Sequence, residues 1–195
     1  MKKLLLAALF AAAVLPAMAA TPVKLSLWDG IAVPSDRTVH GLELGLGGHN
    51  DETVGAQIDF IWARSQTMTG FQYSWFFAQA GDMTGVQMAL VTKADKSEGV
   101  QWGFVNLASD AEILQLGAID YAANDMTGVQ WGFGNYAGNF KGLQVGFVNY
   151  AKNMTGLEFG LVNYAEHIDK GLQIGIVNFA KNGWLPVMII ANGRF

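Results

Sequence analysis

Along most of the chain apolar side chains occupy every second position, in short runs broken by polar turns and restarted by glycine. The clearest runs read GLQVGFVNYAKNMT from Gly142, GLEFGLVNYAEHIDK from Gly156 and GLQIGIVNFAKNG from Gly171. They are copies of one unit that starts near Gly41, Gly55, Gly70, Gly85, Gly99, Ile113, Gly128, Gly142, Gly156 and Gly171, in steps of fourteen or fifteen residues. A repeat of this kind decides the architecture before any single residue does. In each unit the second, fourth and sixth residues are apolar almost without exception, as in Leu143, Val145 and Phe147 or Leu157, Phe159 and Leu161. A period of two over that length places those side chains on one face of a strand.

The other parity has its own order. It opens with an amide or an acid, then a small residue such as Gly103, Gly117, Gly132, Gly146, Gly160 or Gly175. A β-branched residue follows (Val148, Val162, Val177), and then an aromatic one: Tyr121, Tyr136, Tyr150, Tyr164 or Phe179. Stretches such as Ala151-Lys152-Asn153-Met154-Thr155 supply turn chemistry between strands.

These features predict an all-β fold, an antiparallel up-and-down transmembrane β-barrel of about twelve strands built from the repeat. A nine-residue strand tilted by roughly 40° rises about 23 Å, close to the apolar band of about 25 Å on outer-membrane barrels. One strand near residues 23–31, ten repeats and a last strand near 185–195 give the even count such barrels have. Pairing Gly146 with Gly160 at mid-strand sets Tyr150 opposite Gly156, an aromatic covering a cross-strand glycine. The inward parity is then expected to face a lumen through Glu43, Gln57, Asp59, Gln72, Gln87, Gln101, Gln115, Gln130, Gln144, Glu158 and Gln173. The alternative is a parallel β-solenoid, in which identical positions stack and Asn149, Asn163 and Asn178 form an internal ladder. Each unit reads as one long strand and one turn, whereas a closed coil needs two or three short strands, and this favours the barrel.

Composition narrows the setting. Residues 1–20 carry the charged, apolar and small-residue parts of a secretory signal peptide, followed by a single domain at 21–195 with repeats at about 41–184. Without Lys2 and Lys3 the 12 basic residues fall to ten against 16 acidic ones, a net charge near −6. So acidic a chain lacks the electrostatic footprint for nucleic acid. With no cysteine there are no disulfides and no thiolate metal sites.

The units GLQVGFVNYAKN, GLEFGLVNYAEH and GLQIGIVNFAKN, followed by NGWLPVMIIANGRF, resemble the bacterial surface repeat-containing proteins of the leptospiral type. The resemblance spans about 41–195 and implies no activity and no catalytic residue. Phe195, with Ile189 and Val187 on its parity, is similar to the C-terminal assembly signal of outer-membrane barrels, although Gly193 and Ala191 depart from the bulkier residues expected there. The expected location is the outer membrane of a Gram-negative-type bacterium, or alternatively the secreted or cell-surface pool. Membrane lipid and the outer-membrane assembly machinery are the expected partners.

The expected role is a structural membrane protein or small, porin-like passive channel. A secreted or surface-attached solenoid acting as a binding scaffold is the alternative, and a barrel enzyme comes last. His40, His49 and His167 fall in predicted loops with no serine nucleophile and acid in one motif, and Ser35-Asp36 near His40 reads as a solvated loop. Asp59, beside Gln57 on the inward parity, reads as a wetted interior carboxylate, with a lumen charge cluster shared with Arg64 as the alternative, and Asp51-Glu52 and residues 95–98 lack EF-hand spacing. No cofactor and no metal are expected.

Overall fold

A computed structural model gives the fold of residues 20–195; residues 1–19, and with them nearly all of the expected signal peptide, lie outside the described residues. The chain winds into a β-solenoid of about nine turns. Its extended segments are β1 (Thr21–Trp28), β2 (Ile31–Val33), β3 (Thr38–Ser74), β4 (Phe77–Leu116), β5 (Ile119–Trp131), β6 (Gly134–Val145), β7 (Val148–Ala180) and β8 (Val187–Arg194). They form one sheet in the order β2-β1-β3-β4-β5-β6-β7-β8. From β1 on β3 through β6 on β7 the pairing is parallel, and from β3 onward it matches residues one unit apart: Gln130 with Gln144, Tyr136 with Tyr150, Gly142 with Gly156.

Two corners in each unit close the coil. The first is the leading glycine, which takes a positive φ, for example +126° at Gly70, +143° at Gly142 and +129° at Gly156. A side chain there would collide with the carbonyl oxygen of the glycine one coil earlier, as at Gly156 over Gly142. The second is the mid-unit glycine and its following residue, seen as the bends at Gly132-Phe133 and Gly146-Phe147. There Phe147 and Val148 both point outward in succession, so the alternation resets as the chain turns. The mixed fourteen- and fifteen-residue steps are absorbed as register shifts near the turn, between Ala108 and Ala111 and between Ala122 and Asp125.

The antiparallel barrel is therefore corrected to the solenoid, and no lumen exists for the inward residues to line. Mid-unit glycines mark corners where they were expected to sit at the centre of a strand. That one reading turned two short strands into one long one. A Cβ added to Gly160 would lie 2.7 Å from the Gly146 carbonyl oxygen, because those two residues stack and do not face each other across a hairpin. Tyr150 likewise stacks on Tyr136 and Tyr164, at ring distances of 5.0 and 5.2 Å, and does not cover Gly156. The interior is narrow and full, with a column of Met126, Phe140, Met154 and Ile168 beside Ala122, Ala137, Ala151 and Ala165. Among the described residues antiparallel pairing appears only at the two ends, β2 on β1 and β8 on β7.

Ile113 occupies the first-corner position that glycine holds in its neighbours, with φ of +92° and its side chain 60% exposed. A β-branched residue in that region is strained and here gains little burial in return. Ile113→Gly is expected to stabilise the fold by about 1 kcal/mol and raise the melting temperature by roughly 2–4 °C. Gly156→Ala should cost more than about 1 kcal/mol. An unchanged or lower melting temperature for Ile113→Gly, measured by circular dichroism, would contradict the corner assignment.

Candidate functional site

The side chains expected to line a lumen all lie inside the coils, each 1% exposed or less. Gln57 through Gln144 form a continuous amide ladder. From Gln72 onward each Nε2 donates to the Oε1 one coil earlier, at 2.9 Å for Gln72 on Gln57, 2.8 Å for Gln87 on Gln72 and 2.8 Å for Gln130 on Gln115, while the Gln57 Nε2 donates to Asp59. The remaining Nε2 hydrogen goes to a backbone carbonyl across the coil, such as Leu107 for Gln101 or Tyr136 for Gln130. A second ladder runs the other way: Asn135, Asn149 and Asn163 each donate to the asparagine of the next coil at 2.7 to 2.8 Å. It includes the Asn149, Asn163 and Asn178 column of the solenoid alternative.

Each ladder contains one acid in an amide's place. Glu158 accepts from Gln173 at 2.8 Å, yet its Oε1 and the Oε1 of Gln144, its partner in register, both lack a donor. Asp120 accepts from Asn106 at 2.7 Å, and its Oδ2 and the Oδ1 of Asn135, again its partner in register, are also unpaired. Burial pushes the Glu158 carboxyl up to about 8 and, opposed by hydrogen bonds from Asn106 and the backbone, the Asp120 carboxyl up to about 6. A protonated carboxyl supplies the missing O–H donor, so protonation completes both ladders with one atom each.

A polar cluster that sequence reasoning missed closes the N-terminal end. Lys24 and Ser26, on the inward parity of β1, meet Glu43, Asn50 and Asp59 of β3. Lys24 Nζ donates to Asn50 Oδ1 at 2.6 Å and lies 3.9 Å from Glu43 Oε1, while Ser26 and Asn50 also donate to the Glu43 carboxylate. Burial lowers the Lys24 pKa, and burial with the Glu43 charge pushes Asp59 up to about 7. The alternation of Lys24 and Ser26 with Val23, Leu25 and Leu27 was the signal that could have found it. An adjoining cavity of about 60 Å³, lined by Lys24, Trp28, Arg37 and His49 among others, has room for one or two waters.

The remaining polar candidates do not converge on chemistry. Arg64 is not joined to Asp59; its guanidinium lies 5.9 Å from the Trp62 ring, and only its carbonyl takes part in the ladder, accepting from Gln57. His40 meets Glu52 at 3.2 Å, His49 contacts Arg37 and Asp29, His167 is exposed, and Asp36 accepts from Thr21. Asp51 pairs with Arg37, and Lys96 with Glu98. Among the described residues no group of three His, Cys, Asp or Glu is placed to hold a metal. Phe195 is 80% exposed, just beyond β8, with its ring 6.0 Å from that of Trp184.

What is left is the exterior, which is divided in two. Around the second corner the outward side chains are Trp, Phe, Leu, Ile and Val, coil after coil. Along the opposite turns they are Asp, Lys, Asn and Thr, with Asn153, Asn139 and Asp125 hydrogen-bonded in an external row at 2.7 Å. No family model, curated protein or solved structure matches the chain.

The two ladder acids make stability depend on pH with a definite sign. A folded-state pKa raised above the unfolded value contributes fully below the ordinary carboxyl range and is lost as pH climbs through the folded value. For Asp120 that loss runs from the ordinary carboxyl value of 3.8 to about 6, and for Glu158 from 4.5 to about 8, where each is complete. The wild-type chain is expected to be more stable at pH 4.5 than at pH 9 by on the order of a few kcal/mol. Glu158→Gln should remove most of the loss above pH 7 and melt higher than wild type at pH 9. Parallel melting-temperature profiles for the two proteins across that range would refute the protonated ladder.

Proposed function

We propose that the chain is an exported, surface-attached β-solenoid that acts as a binding scaffold and carries out no reaction. The observation that carries this reading is the division of the exterior, an uncharged edge rich in exposed aromatic residues backed by a charged turn edge on a rigid stack of coils. Polar groups inside the coils are consumed in holding the stack together, which leaves the outer surface to do the work. The signal-peptide pattern of the first twenty residues and the resemblance of the units to surface repeat-containing proteins support an extracytoplasmic location. Solenoids of this quasi-one-dimensional kind offer extended surfaces for binding.

Expression of the full chain in a Gram-negative host tests the location directly. The expected product has lost about twenty N-terminal residues by mass, fractionates with the envelope, and is degraded when protease is added to intact cells. A full-length product retained in the cytoplasm and protected from protease would contradict the reading.

A further inference from the structure

We propose that the solenoid lies side-on in a lipid surface, its second-corner edge among the acyl chains and its turn edge in water. This rests on the scaffold reading and names the partner of that same edge. Six aromatic side chains form its centre: Trp75, Trp102, Phe104, Trp131, Phe133 and Phe147, each more than half exposed, from 55% at Phe147 to 62% at Trp131. With their neighbours they present on the order of 1,000 Å² of apolar surface, at roughly 150–250 Å² per ring, against about 300–600 Å² for the largest patch on a typical monomer.

Charge is distributed to match a hydrocarbon–water boundary. From Trp75 to Ile176 no Asp, Glu, Lys or Arg occupies the fourth, sixth or seventh position of any unit, whereas the opposite turns carry Asp82, Lys96, Asp125, Lys141, Lys152 and Lys181. Between the two lies the stack of Tyr121, Tyr136, Tyr150 and Tyr164, whose rings continue the apolar flank while the Tyr150 hydroxyl donates to Glu166 near the turns. Tyrosine with an apolar body and a polar tip suits the headgroup level.

The backbone also permits immersion. In hydrocarbon an unpaired amide or carbonyl costs several kcal/mol, which excludes most irregular structure. At this edge the bend amides are bonded from coil to coil: Phe133 N to Ala118 O at 2.9 Å, Phe147 N to Phe133 O at 2.9 Å and Leu161 N to Phe147 O at 3.0 Å. The edge is a ridge with apolar side chains on both flanks, since Phe147 and Val148 point outward in succession. A second copy seated on one flank leaves the other in water, while fluid acyl chains cover both. Because the chain is acidic, the attraction is apolar and should not need anionic headgroups or weaken in salt.

The test uses the mature chain mixed with phosphatidylcholine vesicles and separated by flotation. Wild type is expected to float equally at low salt and in about 1 M NaCl, and its tryptophan emission to be quenched by brominated phosphatidylcholine. Phe104→Thr/Phe133→Thr/Phe147→Thr should lower vesicle binding roughly tenfold or more with an unchanged circular dichroism spectrum, while Lys141→Gln/Lys152→Gln should float like wild type. Wild type that stays with the lipid-free fraction, or a triple variant that floats as well as wild type, overturns the proposal. So does a wild-type dimer, by light scattering, that becomes monomeric in the triple variant. If the triple variant does not fold, quenching of wild type decides alone, and its absence overturns the proposal. Failure here leaves surface exposure in cells intact, whereas a cytoplasmic chain that still floats in vitro would break the scaffold reading alone.

Discussion

The structure depends on stacking identical residues in register, and above all on the buried amide ladder that this stacking creates. A buried glutamine costs free energy unless its amide is satisfied on every side. Here one hydrogen goes to the coil before and the other across the coil to a carbonyl, as with Gln101 to Gln87 and Leu107. Slipping a coil by one residue would turn every glutamine outward and bring leucine or valine in. The register is therefore fixed by the polar parity more than by the apolar one. The ends follow from the same constraint, because a ladder must stop: the Lys24, Glu43 and Asn50 cluster ends it on one side. On the other side Asn192 is buried, donates to the Leu185 carbonyl, and lies in an antiparallel strand that interrupts further parallel stacking.

Much of this was legible in the sequence. The unit starts, the inward parity of Gln57 to Gln173, the turn segments and even the Asn149, Asn163 and Asn178 column all follow from the spacing. The direction of pairing does not. Gly146 and its equivalents permit a flat strand, a coiled strand or a corner alike, because glycine constrains the backbone least. Only the neighbour decides between them, and for Gly146 it is the carbonyl of Gly132, 2.6 Å from where a Cβ would sit. An outward apolar face and an inward polar one are also common to a barrel and to a solenoid with an amide core. Strand period alone cannot separate the two.

The candidate surface was legible as a pattern and misplaced as a location. Leu143, Val145 and Phe147 were expected to face outward, and they do, but on a packed coil and not around a lumen. The corner was invisible because Phe147 and Val148 read as one more alternation followed by a β-branched residue. Lys24 was overlooked because a lone lysine in a short apolar segment reads as solvent-facing, and its partners lie in sequence beyond the first turn. Glu158 was legible as an acid at an amide position, whereas Asp120 was not singled out, because the asparagine column was read only from Asn149 onward. The reason for each to hold a proton emerges only when the register sets it beside an acceptor that lacks a donor.

The central claim, parallel coils one unit apart, is tested most directly by a pair of cysteines in a chain that has none. Asn139 and Asn153 are exposed, occupy equivalent turn positions in successive coils, are paired in register and are hydrogen-bonded at 2.7 Å. In neighbouring parallel strands their Cα atoms are about 4.8 Å apart, within the range a disulfide spans. In an antiparallel barrel the same residues lie in turns at opposite rims, about 23 Å apart. Mild oxidation of Asn139→Cys/Asn153→Cys should give a rapid intramolecular disulfide, read by mass and by loss of free thiol. Thiols that stay free in the folded chain, or that link only between molecules, would contradict the solenoid.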